Sequence, residues 1–202
     1  MSISSEPTKK PLVAVLSSEI YLGTLVALLS IFTATAAYLG SIADSKEADA
    51  NVEGEKILSL SNTEFLRVNG DIAQDYSYFD NYYIYTGERD DIAQYYHDNF
   101  SDTLLSSMDR ADGPFDDQYY NEMYAEADAS FDEAMAKYDE AQAAGDKADG
   151  FQLDVLILAV ALSLAAWASI VKEDSKIRPM FSAASFVIGL AGLTLFVMMA
   201  IK

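Results

Sequence analysis

The residue types that carry most enzyme chemistry are scarce in this 202-residue chain, which has no Cys and a single His. His97 lies in the run Tyr95-Tyr96-His97-Asp98, and one imidazole cannot build a histidine-based zinc site or serve as both acid and base. The absence of Cys excludes disulfides, thiolate metal sites and Cys nucleophiles. No Gly-rich phosphate loop, nucleophile elbow or zinc-protease helix motif is present. The sequence therefore predicts a protein that is not an enzyme and binds no cofactor.

Clusters of acidic and aromatic residues are the remaining candidates for ligand binding. Ca²⁺ prefers several oxygen ligands at a turn, and four aspartates surround Gly113: Asp109, Asp112, Asp116 and Asp117. Because their spacing lacks the alternation of an EF-hand, a solvated acidic turn is the main interpretation and a calcium site the weaker one. The run from Tyr76 to Tyr85 could stack sugars or bases. At helical spacing, however, half of it must face another helix, which favours packing.

The elements that carry these residues begin with a long apolar stretch. Residues 20–43 contain no charged side chain, and a helix of that length, at about 1.5 Å per residue, crosses the ~30 Å hydrocarbon core of a bilayer. We predict an N-terminal tail over 1–18 and a transmembrane helix over 19–43. The alternative is a secretory signal with cleavage after Ala34-Thr35-Ala36. The apolar run continues to Ala43, which a discarded peptide would not need.

Two further apolar stretches predict a second span over 153–171 and a third over 180–201, joined by a short basic loop over 172–179. In each span small residues recur at steps of three and four, which aligns them on one face where another helix can approach closely. The predicted packing residues are Gly23, Ala27, Ser30, Ala34, Ala37, Ala159, Ser163, Ala166, Ser182, Ser185, Gly189 and Gly192. We expect a tight three-helix bundle, or a bundle with one row left for a neighbouring subunit.

Between the first two spans lies a strongly acidic segment. Residues 44–154 hold 28 acidic and seven basic side chains, a net charge of −21. This charge repels nucleic acid and anionic lipid, which argues against binding of either through this segment. Four-three spacing predicts a helix that leaves the bilayer, a stop at Thr86 to Asp90, a shorter helix over 91–110, a turn at 111–114 with Pro114 in the first turn of the next helix, and a returning helix. We expect a kink at Gly70 and a hinge at Gly145 to Gly150.

These helices predict an acidic stalk over 44–150, about 60 Å long if unbroken at ~1.5 Å per residue. Its core is predicted at Phe65, Ile72, Tyr76, Phe79, Tyr83, Tyr120, Tyr124, Phe131 and Tyr138. The predicted fold class is an all-α membrane protein with three transmembrane helices and a long antiparallel helical hairpin, or coiled-coil stalk, between the first and second spans. The Asp-rich acidity would also suit a high-salt habitat.

Basic residues lie at the N-terminus, as Lys9 and Lys10, and in the loop between the second and third spans, as Lys172, Lys176 and Arg178. The positive-inside rule then predicts a multi-pass protein of the plasma or inner membrane with a cytoplasmic N-terminus and an extracytoplasmic stalk. Lys202 falls on the outside in this arrangement and conflicts with the rule.

The order of one span, a helical hairpin and two closely joined spans resembles a group of small, uncharacterised three-pass membrane proteins of bacteria and archaea. The supporting sequence runs from Glu64-Phe65-Leu66-Arg67 to Asp80-Asn81-Tyr82. The resemblance implies a prokaryotic membrane protein and carries over no activity or functional residue.

Function is expected to lie in assembly. The small-residue rows and coiled-coil pattern favour a non-enzymatic homo-oligomer whose stalk scaffolds or recognises an unknown protein partner. One alternative is a subunit of an oligomeric channel, lined by Ser30, Thr33, Thr35 or Ser163 from several copies. Another is a membrane sensor that signals through a partner by way of the 145–150 hinge. No span has an ionisable residue at its centre, which argues against an active transporter.

Overall fold

The computed structural model describes residues 12–172 and 175–201. Most of the predicted tail with Lys9 and Lys10, part of the basic loop, and Lys202 lie outside the described residues. The described chain forms six helices and no strand: α1 (Leu12–Leu16), α2 (Glu19–Tyr85), α3 (Asp90–His97), α4 (Asp102–Ser107), α5 (Asp117–Ile170) and α6 (Ile177–Ile201). The all-α prediction is confirmed.

Three helices, α2, α5 and α6, are long and apolar enough to cross a membrane. The first begins where the sequence placed it: the Ser18 hydroxyl accepts a hydrogen bond from the Tyr21 N–H at 3.3 Å. Glu19 follows as the first helical residue, where the positive end of the helix dipole favours a carboxylate. The prediction of three candidate membrane-spanning helices is confirmed.

Neither predicted glycine break interrupts a helix. Helix α2 is continuous through Gly70, and α5 is continuous from Gly145 to Gly150. A glycine in a helix interior costs about 1 kcal/mol, which long, packed helices easily offset. At Gly150 the missing side chain has a packing reason, since a Cβ there would overlap Met199. The residues where we expected a kink and a hinge therefore lie within continuous helices.

The chain divides into two compact units. We call Asp49–Glu140 the acidic unit, and Met1–Ala48 with Ala141–Lys202 the apolar unit. Helices α2 and α5 contribute to both units. The flanking helical residues 44–48 and 141–150, which the sequence analysis included in the stalk, belong to the apolar unit.

The core of the acidic unit is formed by α2, the start of α5 and the short helices between them. Its buried members are Val68, Ile72, Phe100, Leu104 and Tyr119. Aromatic rings surround this core, with Tyr76 stacked on Phe115 at a centroid distance of 4.1 Å.

The single helix predicted over 91–110 is wrong: the structure has α3 and α4, separated at residues 98–101. Ser101 begins α4, because its hydroxyl accepts a hydrogen bond from the Leu104 N–H at 3.0 Å. The buried carboxylate of Asp75 accepts hydrogen bonds from the Ser101 N–H and hydroxyl. This contact crosses 26 residues of sequence, so local pattern could not reveal it.

The predicted position of Pro114 is also wrong, because α5 begins at Asp117 and the proline precedes its first turn. The cap is Asp116, whose carboxylate accepts a hydrogen bond from the Tyr119 N–H at 2.7 Å. A side-chain acceptor at this position satisfies one of the free N–H groups at a helix start. Gly113 has a φ of 98°, which favours glycine.

In the apolar unit, small residues of α6 receive large residues of the other two helices. A Cβ at Gly189 would lie 2.8 Å from a methyl group of Leu29, and one at Gly192 would lie 2.7 Å from a methyl group of Leu158. The Ser185 hydroxyl donates to the Ala161 carbonyl oxygen at 2.7 Å. Close helix approach with an interhelical hydrogen bond is the packing expected where lipid weakens the hydrophobic driving force.

Candidate functional site

The three predicted small-residue rows differ in how far they are buried within one chain. All members of the first row are exposed: Gly23, Ala27, Ser30, Ala34 and Ala37. In the second row Ala159 is half-buried while Ser163 and Ala166 are exposed, and in the third row Ser182, Ser185, Gly189 and Gly192 are all buried. The faces that pack inside the chain on α2 and α5 are instead built from Leu22, Leu29, Ala36, Leu158, Ala161 and Ala165. A row of small side chains therefore remains open on α2.

Hydroxyl groups in the apolar parts of α2 and α5 form hydrogen bonds within their own helices. Ser30, Thr33, Thr35 and Ser163 each donate to the carbonyl oxygen four residues earlier, at 2.7 to 2.8 Å. A hydroxyl proton satisfied in this way needs no water or polar neighbour. These four residues are therefore compatible with lipid contact and do not require a pore.

Only some residues of the predicted stalk core are buried in the acidic unit. Ile72 is buried, while Phe65, Phe79, Tyr120, Tyr124 and Tyr138 are half-buried, and Tyr76, Tyr83 and Phe131 are exposed. The rings of Phe65 and Tyr124 lie 5.7 Å apart, and the hydroxyls of Tyr76 and Tyr120 are hydrogen-bonded. The predicted core list leaves out several of the most buried positions of the unit, among them Ser61, Val68, Asp75, Tyr119, Ala127 and Ala134. Ser61, Val68 and Asp75 recur at steps of seven, and Ala127 and Ala134 do the same, which is the signal that could have revealed them.

Asp75 is the polar centre of the acidic unit. It is 2% exposed. Its carboxylate accepts hydrogen bonds from the Ser101 N–H at 3.0 Å, the Ser101 hydroxyl at 2.5 Å and the Tyr119 hydroxyl at 2.7 Å. Burial and the adjacent Asp75 raise the pKa of Tyr119 well above its usual range. One carboxylate thus connects α2, α4 and α5, and a buried charge bonded in this way is stabilising.

Beside Asp75 the acidic unit has a cleft of about 450 Å³. Its charged lining residues are Arg67, Asp71, Asp75, Glu122 and Glu126. Arg67 donates to Glu64 and, at 2.6 Å, to Asp71, while Glu122 accepts from Arg110 at 3.0 Å. Four carboxylates and one guanidinium thus line the cleft. Glu126 forms no hydrogen bond with a described residue, and its charge interacts with Arg67. We call this the acidic cleft; its charge attracts cationic groups.

Hydrogen bonds and ion pairs hold the carboxylates near the cleft in their charged form. The Arg67 guanidinium lowers the pKa of Glu64. Hydrogen bonds from Gln118 and then Arg110 lower the pKa of Glu122. The pKa of Asp116 is lowered by the Tyr119 N–H and, to a smaller extent, by Arg110. These groups therefore keep their negative charge at neutral pH.

The other residues considered for chemistry have structural surroundings. The His97 ring is half-buried and lies 5.3 Å from the ring of Phe100 and 5.6 Å from that of Tyr82, which is aromatic packing. Across residues 12–172 and 175–201, no group of three His, Asp or Glu side chains is arranged to hold a metal ion. The weaker interpretation, a calcium site, is therefore not supported. Its four aspartates are Asp109, Asp112, Asp116 and Asp117. Asp116 is occupied by Arg110 and the Tyr119 N–H.

The apolar unit buries an acid that the sequence analysis did not single out. Asp154 is fully buried, and neither carboxylate oxygen has a hydrogen-bond partner in the described part of the chain. One oxygen lies 3.3 Å from the position a Cβ at Gly192 would take. Arg178, predicted in the basic loop, lies in α6, is 3% exposed, and donates to the Val171 carbonyl oxygen at 3.2 Å.

Geometry and composition together define an all-helical chain with three candidate membrane-spanning helices and an acidic cleft. Comparison of the sequence with protein-family models and curated proteins, and of the fold with solved structures, finds no match.

Proposed function

We propose that this protein is a non-enzymatic, homo-oligomeric, multi-pass membrane protein that recognises a positively charged protein partner through its acidic unit. The acidic cleft is the observation that carries the proposal, because four carboxylates line it against one guanidinium. Complementary charge accelerates encounter and fixes the orientation of a partner. The matching group on the partner is a Lys or Arg side chain, for which the Glu126 carboxylate is the open acceptor.

In the proposed arrangement α2 and α5 form an antiparallel hairpin, with the acidic unit on the extracytoplasmic side. Contacts inside the acidic unit support the hairpin. As residue numbers rise along α2 they fall along α5, from Glu53 with Lys137, through Ser61 with Ala127, to Tyr76 with Tyr120. Lys172, Lys176 and Arg178 support the orientation through the positive-inside rule.

The open row on α2 supports homo-oligomer formation. Its five small residues are exposed in one chain, yet small side chains are the ones that allow close helix approach in lipid. We expect Ala27→Leu to shift the protein in nanodiscs toward monomer, because the larger side chain blocks approach. Ile31→Leu, which changes an exposed residue between members of the row, serves as the control. A wild-type protein that is monomeric in nanodiscs would refute this part of the proposal.

Recognition is tested by capture from native membranes with the full-length protein as bait. The double variant Asp71→Asn/Glu126→Gln removes two charges from the acidic cleft, and Asp132→Asn/Glu133→Gln removes two exposed charges that do not line it. We expect a partner that is captured by wild type and the control, lost in the cleft variant, and weakened by salt. Equal capture by both variants would contradict recognition at the cleft.

Orientation is tested by labelling single introduced cysteines in intact cells, which is unambiguous because the chain has none of its own. Asp132→Cys reports on the acidic unit, and Lys172→Cys on the segment between α5 and α6. We expect a membrane-impermeant maleimide to label only the first. Labelling of the second alone would reverse the proposed orientation.

A further inference from the structure

A groove in the apolar unit is lined by apolar residues and by two cationic side chains. Its volume is about 220 Å³, and it begins beside Ala200, close to the end of α6 at Ile201. Leu39, Ile42 and Phe151 contribute apolar walls from α2 and α5, and Lys46 and Lys147 are its charged lining residues. Each helix presents its apolar and basic lining residues on one face. On α2, Leu39, Ile42 and Lys46 are spaced by three and four residues, and on α5, Lys147 and Phe151 are four residues apart.

The two lysines differ in ion pairing from most of the seven basic residues between residues 44 and 154. Arg67, Arg89, Arg110 and Lys137 each form an ion pair with a neighbouring carboxylate. Neither Lys46 nor Lys147 forms an ion pair with a described residue. No carboxylate lines the groove, although Asp and Glu greatly outnumber Lys and Arg in this part of the sequence. Nearby Glu47 lies against Gly145, whose missing Cβ would be 2.9 Å from its carboxylate.

The position of the groove along the sequence matches the depth of a lipid headgroup. The charge-free stretch of α2 ends at Ala43, which also lines the groove, and Lys46 lies one turn further. At about 1.5 Å per residue, that step places the ammonium group just beyond the hydrocarbon boundary if Ala43 marks it. Lysines at helix ends extend toward the interface in the same way.

We propose that this groove binds one anionic phospholipid, with its phosphate between Lys46 and Lys147 and part of an acyl chain against Leu39, Ile42 and Phe151. Charge complementarity selects the phosphate, and the apolar floor selects a lipid over free phosphate. The acidity of the surrounding segment makes the site selective, because anionic lipid is repelled elsewhere on it. The inference rests on the membrane insertion included in the proposed function, and not on the recognition of a partner.

Native mass spectrometry of the delipidated, detergent-solubilised full-length protein tests this site. The protein is titrated with phosphatidylglycerol or phosphatidylcholine. We expect tighter binding of phosphatidylglycerol, a loss of about 5-fold in affinity for each Lys→Gln change, and about 30-fold for Lys46→Gln/Lys147→Gln. Lys46→Arg/Lys147→Arg should retain binding. Lys56→Gln, which removes an exposed charge that does not line the groove, should match wild type.

Three results would overturn the site. The first is equal affinity of the double Gln variant and wild type for phosphatidylglycerol. The second is competition by inorganic phosphate as effective as that of the lipid, which would show a phosphate site without an acyl groove. The third is lipid binding only after deletion of Lys202, which would show that the end of the chain fills the groove. Extraction of the protein from membranes by alkaline carbonate would instead refute the proposed membrane insertion itself.

Discussion

The two units each bury an aspartate, and the surroundings of the two carboxylates are opposite. Asp75 in the acidic unit accepts three hydrogen bonds from Ser101 and Tyr119. Asp154 in the apolar unit accepts none from the described residues. A buried carboxylate with several donors connects the elements that supply them, whereas one without donors carries only the cost of burial. The first therefore organises its unit, and the second lowers the stability of its own.

The units also use small residues differently. In the acidic unit the Ser61 hydroxyl donates to the Ala127 carbonyl oxygen across two helices, and most of the partly buried residues packed on the core are aromatic. In the apolar unit glycines of α6 receive Leu29 and Leu158. Aromatic packing stabilises where water is excluded from a surface, while close backbone approach is effective in lipid. The contrast fits one unit in water and one in a membrane.

Removal of the Asp75 carboxylate should have the largest effect. Asp75→Ala leaves the Tyr119 hydroxyl and the Ser101 N–H without their acceptor, which we expect to cost about 4 kcal/mol in the free energy of unfolding. Asp75→Asn keeps an acceptor oxygen and should cost less. Denaturant titration monitored by tyrosine circular dichroism measures both, with Asp132→Ala at an exposed site outside the network as the control. Equal stability of Asp75→Ala and wild type would remove the distinction between the two aspartates.

Leu158 and Asp154 are buried one turn apart on α5, and we expect their removal to differ in cost. Leu158→Ala leaves a cavity beside Gly192 and should cost about 3 kcal/mol. Asp154→Ala removes a carboxylate that has no donor, so its loss of volume is offset and the change in unfolding free energy should be within about 1 kcal/mol of zero. Unfolding in mixed micelles, followed by the fluorescence of Trp167, gives both values. A large destabilisation by Asp154→Ala would show that its carboxylate contributes a favourable interaction.

Substitution of a buried glycine and of an exposed glycine in the apolar unit tests which faces pack inside the chain. Gly192→Ala places a methyl group against Leu158 and should destabilise by about 2 kcal/mol. A Cβ at Gly23 has no neighbour within 4 Å, so Gly23→Ala should raise helix stability by up to about 1 kcal/mol in the isolated chain. Thermal unfolding of the monomer in detergent compares the two. Similar destabilisation by both would mean that the α2 row packs inside the chain.

Acid should weaken the acidic unit by a smaller amount. The Tyr119 N–H and Arg110 lower the pKa of Asp116 in the folded state. Their stabilising contribution is therefore complete above the unfolded pKa of ~3.9 and lost as the pH falls through the lower folded value. Asp116→Asn should show a flatter loss of helix circular dichroism between about pH 5 and 2. A wild-type acid transition identical to that of the variant would contradict this role, and Asp132→Asn provides the comparison at an exposed site.

Sequence patterns predicted the type and approximate extent of the long helices better than the identity of their inner faces. Charge-free runs and four-three spacing predicted α2, α5 and α6, and they identified the buried face of α6 because Ser182, Ser185, Gly189 and Gly192 lie inward. On α2 the same reasoning chose the Gly23 row, yet Leu22 and Leu29 lie inside. A period defines a face without stating which face has a partner.

The sequence by itself determined the helical class, the three apolar segments and the separation of charge between the two units, since each follows from composition and local periodicity. Only the tertiary structure decided that Leu29 and Leu158 fit the glycines of α6, that Asp75 separates α3 from α4, and that Asp154 lies inside without a donor. Each of these depends on groups far apart in the chain, where the shape and hydrogen-bonding capacity of the partner select one arrangement.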